Sequence, residues 1–219
     1  SSAASDVYKR QVIERRFTTA GADPFDAFDW IEMSVEIRNP DGSLADEIHG
    51  VQLPSGFAGV PGKVCAQKYL RKAGVPAALR KVAEDGVPGW LQRSEPDHEK
   101  LQTLAPEDRF VGETDGRELF RRLAGTWTYW GWTHGYFASE ADARAFYDEM
   151  AYLIASQRSA PNSPQWFNTG LNWAYGITGP AQGHHYVDAV TGELKLSEDA
   201  YTHPQPHACF IQSVGDSLV

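Results

Sequence analysis

Residues 31–53 carry the pattern that most restricts the fold. Ile31, Met33, Val35 and Ile37 alternate with Glu32, Ser34, Glu36 and Arg38. A period of two gives a strand with one dry face. Asn39-Pro40-Asp41-Gly42 follows. Proline presets φ and glycine accepts a positive φ, so the chain turns back there. Residues 44–53 return as a second, weaker strand, and a β-hairpin is the simplest reading.

The segments after the hairpin read mainly as helix. Residues 63–73 (KVCAQKYLRKA) predict a short basic helix stopped by Gly74 and Pro76. A second helical piece is expected over about 77–84, stopped by Gly86 and Pro88, and residues 89–113 read as polar loop. Thr114 or Asp115 is placed to cap a helix through Leu123, which Gly125 would end. An aromatic, glycine-punctuated run, TWTYWGWTHGYF, comes next. Ser139 then opens the best helix of the chain. Phe146, Met150, Leu153, Ile154 and Gln157 fall at helical spacing, with Glu140 and Asp142 in the first turn. The fold class is therefore α+β, a helix-rich domain with one hairpin. After Arg158 the chain becomes rich in Pro, Gly and Asn for about 30 residues, the kind of loop that often carries function. Residues 187–193 suggest a small exposed hairpin, and 208–214 a buried strand.

Composition excludes several classes of function. The net charge is −9, opposite in sign to that of a nonspecific polyanion binder, so no nucleic-acid partner is expected. The longest unbroken apolar run is 150–155, against the ~20 residues of a bilayer span, so no membrane partner is expected either. Two cysteines, Cys65 and Cys209, do not make a disulfide scaffold and fit a reducing cytoplasm. Ser1 to Gln11 (SSAASDVYKRQ) resembles translated adapter sequence, and no initiator methionine precedes it, so these residues are expected to stand outside the fold. The chain reads as open at both ends.

Several groupings have residue types suited to chemistry. Five of the seven tryptophans lie between Trp127 and Trp173. They suit either a stacking surface or a set of core and loop anchors, and the interleaved glycines favour anchors. His203, His207 and Cys209 lie within seven residues, but Pro204 and Pro206 bar the helix that would align them for zinc. The pair His184-His185 reads as loop surface. Cys65, inside the basic helix, reads as a small buried hydrophobe. Asn162-Ser163-Pro164 is a turn whose hydroxyl and N–H groups suit an anion. Cys209 stands at the start of an apolar strand after a Pro-rich run, so its thiol is presented at a strand end.

The ordered pair Ser163-Pro164-Gln165-Trp166-Phe167-Asn168-Thr169-Gly170 and Ala208-Cys209-Phe210-Ile211, with Asp216-Ser217, resembles the catalytic chain of ribonucleotide reductases. The similarity is greatest to the adenosylcobalamin-dependent class II enzymes. Residues 34–42 (SVEIRNPDG), 66–69 (AQKY) and 125–132 (GTWTYWGW) resemble the N-terminal domain of their longer bacterial forms.

The resemblance implies that residues 12–157 form that N-terminal domain and that 158–219 begin the catalytic barrel. That barrel has ten strands in two parallel half-barrels and is itself absent here. It implies Cys209 as a redox thiol, Ser163, Ala208 and Cys209 as substrate contacts, and adenosylcobalamin as cofactor. The implied partners are a ribonucleotide, diphosphate by preference, nucleotide effectors, a thioredoxin-type reductant and a homodimer. The family's radical cysteine and second redox cysteine lie downstream, so the chain alone is expected to be inactive. Two features depart from relatives: no ATP-cone is recognisable, and His207 stands where many have Ser. The alternatives are a class I large subunit, a non-catalytic nucleotide-binding or oligomerisation module, and a thiol enzyme using Cys209 with a histidine.

Overall fold

The structure is a computed structural model that describes residues 11–188 and 191–204. Strand β1, Trp30–Arg38, pairs antiparallel with β2, Leu44–Pro54. Val35 is fully buried and its neighbours alternate as the sequence predicts. The connecting turn is closed by Gly42 N–H to Asn39 O at 2.9 Å and by Ser43 N–H to Asp41 Oδ1 at 2.9 Å. Between Met33 and Val35 the register slips by one residue. Gly50, at φ +67°, stands on the opposite strand there, and glycine tolerates this left-handed bulge position.

After β2 the chain forms α1, Val60–Val64, which runs on into one π-helical turn, Cys65–Tyr69. The predicted basic helix thus starts earlier and stops sooner than expected, ending at Leu70 in extended backbone. Residues 77–84 are not helical. Short strands β3, Val75–Pro76, and β4, Leu79–Lys81, replace the expected helix. Strand β5, Ser94–Pro96, pairs with β4. A short helix, α2, His98–Thr103, then leads to β6, Phe110–Val111, which pairs with β3. Partners this far along the chain win over local helix propensity.

Helix α3, Gly116–Thr133, is capped by Asp115, whose carboxylate accepts the Arg117 N–H at 2.8 Å. It runs straight through Gly125, where the sequence predicted an end, and takes in most of the tryptophan-rich segment. The reason is tertiary. A Cβ on Gly125 would lie 2.1 Å from the Trp173 ring, and one on Gly131 2.7 Å from the Phe137 ring. Both glycines are seats for aromatic rings, not helix stops. Helix α4, Glu140–Ala155, begins at the Ser139 cap, as expected. Within the Pro/Gly-rich stretch, two short helices form: α5, Ser163–Asn168, and α6, Leu171–Tyr175. Strands β7, His185–Val187, and β8, Leu194–Leu196, make the small hairpin expected near 187–193.

The core lies between the β1–β2 hairpin and helices α3 and α4. Val35, Val51, Leu53, Phe57, Phe120 and Ile154 fill it, with Trp166 of α5 packed into the same cluster. The segment after residue 158 is therefore joined to this core. Ahead of β1, residues 13–18 run as a strap along α4. The buried Glu149 carboxylate accepts N–H bonds from Arg16, Phe17 and Thr18 at 2.9–3.1 Å and the Thr18 hydroxyl at 2.6 Å. Gln11, assigned to the adapter-like segment, pairs through its backbone with Tyr136 and Ala138.

The tryptophans act as loop anchors. Trp132 Nε1 donates to Gly86 O at 2.7 Å, Trp173 Nε1 to Leu91 O at 2.9 Å, and Trp166 Nε1 to Pro161 O at 3.0 Å. If Gly125 only interrupted a helix, Gly125→Ala would stabilise by about 1 kcal/mol. Because Trp173 occupies that space, Gly125→Ala is expected to destabilise by about 1–3 kcal/mol in urea unfolding. Pairing it with Trp173→Leu should recover part of the loss.

Candidate functional site

Ser163 is the first residue of α5, and Pro164, with no N–H to satisfy, suits the opening turn. Its hydroxyl lies 3.4 Å from Tyr69 Oη, at the end of the π-helical turn. The Tyr69 ring stacks on Trp166 with centroids 4.9 Å apart and planes at 12°. Ser163 is half-buried and borders this aromatic wall.

The position of α5 is set by a buried ion pair that sequence reading missed. Arg122 of α3 is fully buried, and its guanidinium forms a fork on Glu113, with Nε to Oε1 at 2.8 Å and Nη2 to Oε2 at 3.1 Å. Arg122 Nη1 donates to Thr169 O at 2.6 Å and to Trp166 O at 3.2 Å, which holds the C-terminal end of α5. Glu113 also accepts the Tyr175 hydroxyl at 2.6 Å and the Arg71 N–H at 2.7 Å. Burial pushes the Glu113 carboxyl up, but Arg122 and the two other donors, the Tyr175 hydroxyl and the Arg71 N–H, outweigh it and hold it below the usual carboxylate range. Burial and the adjacent carboxylate push the Tyr175 phenol up. Gly170, at φ +86°, passes so close to Arg122 that an added Cβ would lie 2.4 Å from its Cγ. One signal was available: Arg122 falls at i+3 from Leu119, on the apolar stripe with Leu123 and Thr126.

The other sequence-predicted residues are distributed as follows. Cys65 is buried, and desolvation pushes its thiol up to about 12. Ala208, Cys209 and His207 lie outside the described residues. His184, read as loop surface, is instead buried, and its Nε2 meets the His203 carbonyl at 2.6 Å. His185 is exposed, as expected. The His203 ring stacks on Tyr186 at 3.7 Å, and burial lowers its pKa. Among the described residues no three His, Cys, Asp or Glu side chains are grouped to hold a metal. None of the described helices is long and apolar enough to cross a membrane.

Comparison with known proteins decides the family. Residues 31–157 match the family model of the class II vitamin B12-dependent ribonucleotide reductase, over its N-terminal domain. The chain belongs to the class II vitamin B12-dependent ribonucleotide reductases. It is 57% identical over 207 residues to the vitamin B12-dependent ribonucleotide reductase of Bradyrhizobium diazoefficiens, which is 94% of this chain and 16% of that protein. The Agrobacterium fabrum reductase is 56% identical over 207 residues, again 94% of this chain and 16% of that protein. The Streptomyces clavuligerus reductase is 29% identical over 210 residues, 94% of this chain and 15% of that protein. The chain thus spans about one sixth of the length of the curated class II reductases it matches. The class I alternative gives way to this match.

The buried fork makes a testable demand. Arg122→Met would leave the Glu113 carboxylate buried without its counter-charge, and should destabilise by about 3–5 kcal/mol in denaturant unfolding. A carboxyl whose folded pKa is depressed contributes stability above its unfolded pKa and loses it as pH falls toward the folded value. Unfolding free energy should therefore drop as pH falls below the ordinary Glu range. Glu113→Gln should show a shallower drop than the unmodified chain in the same titration.

Proposed function

We propose that this chain is the N-terminal part of a vitamin B12-dependent ribonucleotide reductase that converts ribonucleotides, diphosphates by preference, to 2′-deoxyribonucleotides for DNA synthesis. Ser163 holds substrate phosphate, and Cys209, with Ala208 beside it, faces the ribose and supplies reducing equivalents. The observation that carries this reading is the 57% identity to the Bradyrhizobium reductase over 207 residues, a length that necessarily runs through Ser163. The half-buried Ser163 at the start of α5 supports it, since hydroxyl and backbone donors hold phosphate without net positive charge. A thioredoxin-type reductant, nucleotide effectors and a homodimer belong to the same reading, as does the passage from α6 toward the first barrel strand. So does a cytoplasmic location.

Loss of the 2′-hydroxyl as water takes two electrons and two protons. Two thiols supply both by closing to a disulfide. The sequence holds two cysteines, and Cys65 is buried with its pKa pushed up to about 12, far from thiolate character at neutral pH. This speaks against Cys65 as the redox partner of Cys209. Cobalamin, when bound, supplies the radical that starts the chemistry. Its seat is proposed to lie in the parts of the full-length reductase beyond these residues. Four hollows among the described residues measure about 310 to 670 Å3. Drug-sized ligands already fill roughly 300–1,000 Å3, and a corrin with its nucleotide tail is larger.

The purified 219-residue chain, given cobalamin, dithiol and ribonucleotide, is expected to form no deoxyribonucleotide; sustained product formation would overturn the proposed inactivity. In the intact reductase, Cys209→Ser should fold and bind nucleotide yet lose multiple turnover with an external dithiol. Cys65→Ser should keep most activity, because that thiol only packs. Repeated turnover by Cys209→Ser at near the unmodified rate would return Cys209 to a packing role.

A further inference from the structure

The face of α5 that carries Ser163 continues into a cationic hollow. Ser163 and Phe167 stand at i and i+4 on α5 and so share one face of it. Phe167 and Tyr69 line a hollow of about 310 Å3 whose wall also carries Lys68, Arg71 and Lys72. The Tyr69 ring joins the two places. It meets Phe167 with centroids 5.8 Å apart, and its hydroxyl reaches Ser163.

Three of the seven residues that line this hollow are cationic. Arg15, Arg80, Arg93, Arg117, Arg122 and Arg144 all form ion pairs with carboxylates. Lys68 and Arg71 form none among the described residues, in a sequence of net charge −9. Arg71 Nε donates to Ala73 O at 3.0 Å, which fixes the guanidinium and leaves its two terminal amino groups for a ligand. Lys72 Nζ is turned onto the Ala66 carbonyl. The segment is held from below, because the Arg71 N–H is the one bound by Glu113. Its cations are thus tied to the same buried carboxylate that positions α5.

We infer that Lys68 and Arg71 form a subsite for the outer phosphate of a nucleoside polyphosphate whose inner phosphate lies at Ser163. These two cations then set the preference for phosphorylation level. The inference rests on the role given to Ser163 above and deepens it. A monophosphate is served by the Ser163 end alone. Each added phosphate brings negative charge that an acidic chain repels unless fixed cations meet it, and a guanidinium fork and an ammonium are the groups that do so. The rings of Tyr69 and Phe167 exclude water along one side of the hollow, which strengthens the attraction.

The test is calorimetric binding of cytidine mono-, di- and triphosphate to the intact reductase without reductant. Lys68→Gln with Arg71→Gln should weaken di- and triphosphate relative to monophosphate by about tenfold or more, the scale of one lost charge-assisted contact. Lys63→Gln, an exposed cation outside the hollow, should leave all three affinities unchanged. Ser163→Ala should weaken all three alike. If the double variant keeps the unmodified ratio of di- to monophosphate affinity, or if Lys63→Gln shifts it as much, the subsite is overturned. Uniform weakening by Ser163→Ala in that case leaves the Ser163 role intact. If instead Ser163→Ala changes nothing while the double variant still lowers the ratio, the Ser163 role falls and the cationic subsite stands.

Discussion

One carboxylate holds together elements that have no other reason to meet. Glu113 accepts from the backbone before β3, from the Arg122 fork on α3 and from the Tyr175 hydroxyl on α6. Arg122 in turn closes on the carbonyls at the end of α5. A charge this deep is tolerated only when its lone pairs are met, and here they are. Such pairs add little net stability compared with a well-packed apolar core, but they have one geometry. Ser163 on one side and the cations 68–72 on the other take their separation from it.

The legible parts of the fold are those whose causes are local. The hairpin declared itself through a period of two and an Asn-Pro-Asp-Gly turn, and α4 through Ser139 and the acidic first turn. Gly125 misled because its reason lies at Trp173, 48 residues away in sequence (173 − 125 = 48), where a ring needs the room of a missing side chain. Residues 77–84 misled because their partners are 94–96 and 110–111, and ladder pairing is not written in either segment alone. The candidate residue Ser163 came from the wording of residues 163–170. Its contact with Tyr69, 94 residues before it, and the Glu113–Arg122 fork could not be read there. Periodicity marked Arg122 as facing inward but could not name what it would meet.

Among the described residues the β-structure consists of four separate two-stranded ladders. A lone hairpin is marginal in water, so β1–β2 depends on α3 and α4 lying over its dry face. The ring seats at Gly125 and Gly131 matter for this reason. They fix how α3 is rotated, and hence which of its faces meets Val51 and Leu53.

The strap over α4 has a consequence in time. Thr18 and the carboxylate that receives it are 131 residues apart. At a synthesis rate of about 5–20 residues per second, residues 13–18 leave the ribosome ~7–26 s before Glu149 is made. Through that interval the strap waits for the helix it docks on. Its backbone N–H groups are left to water, to chaperones, or to the strap-binding helix of another nascent copy.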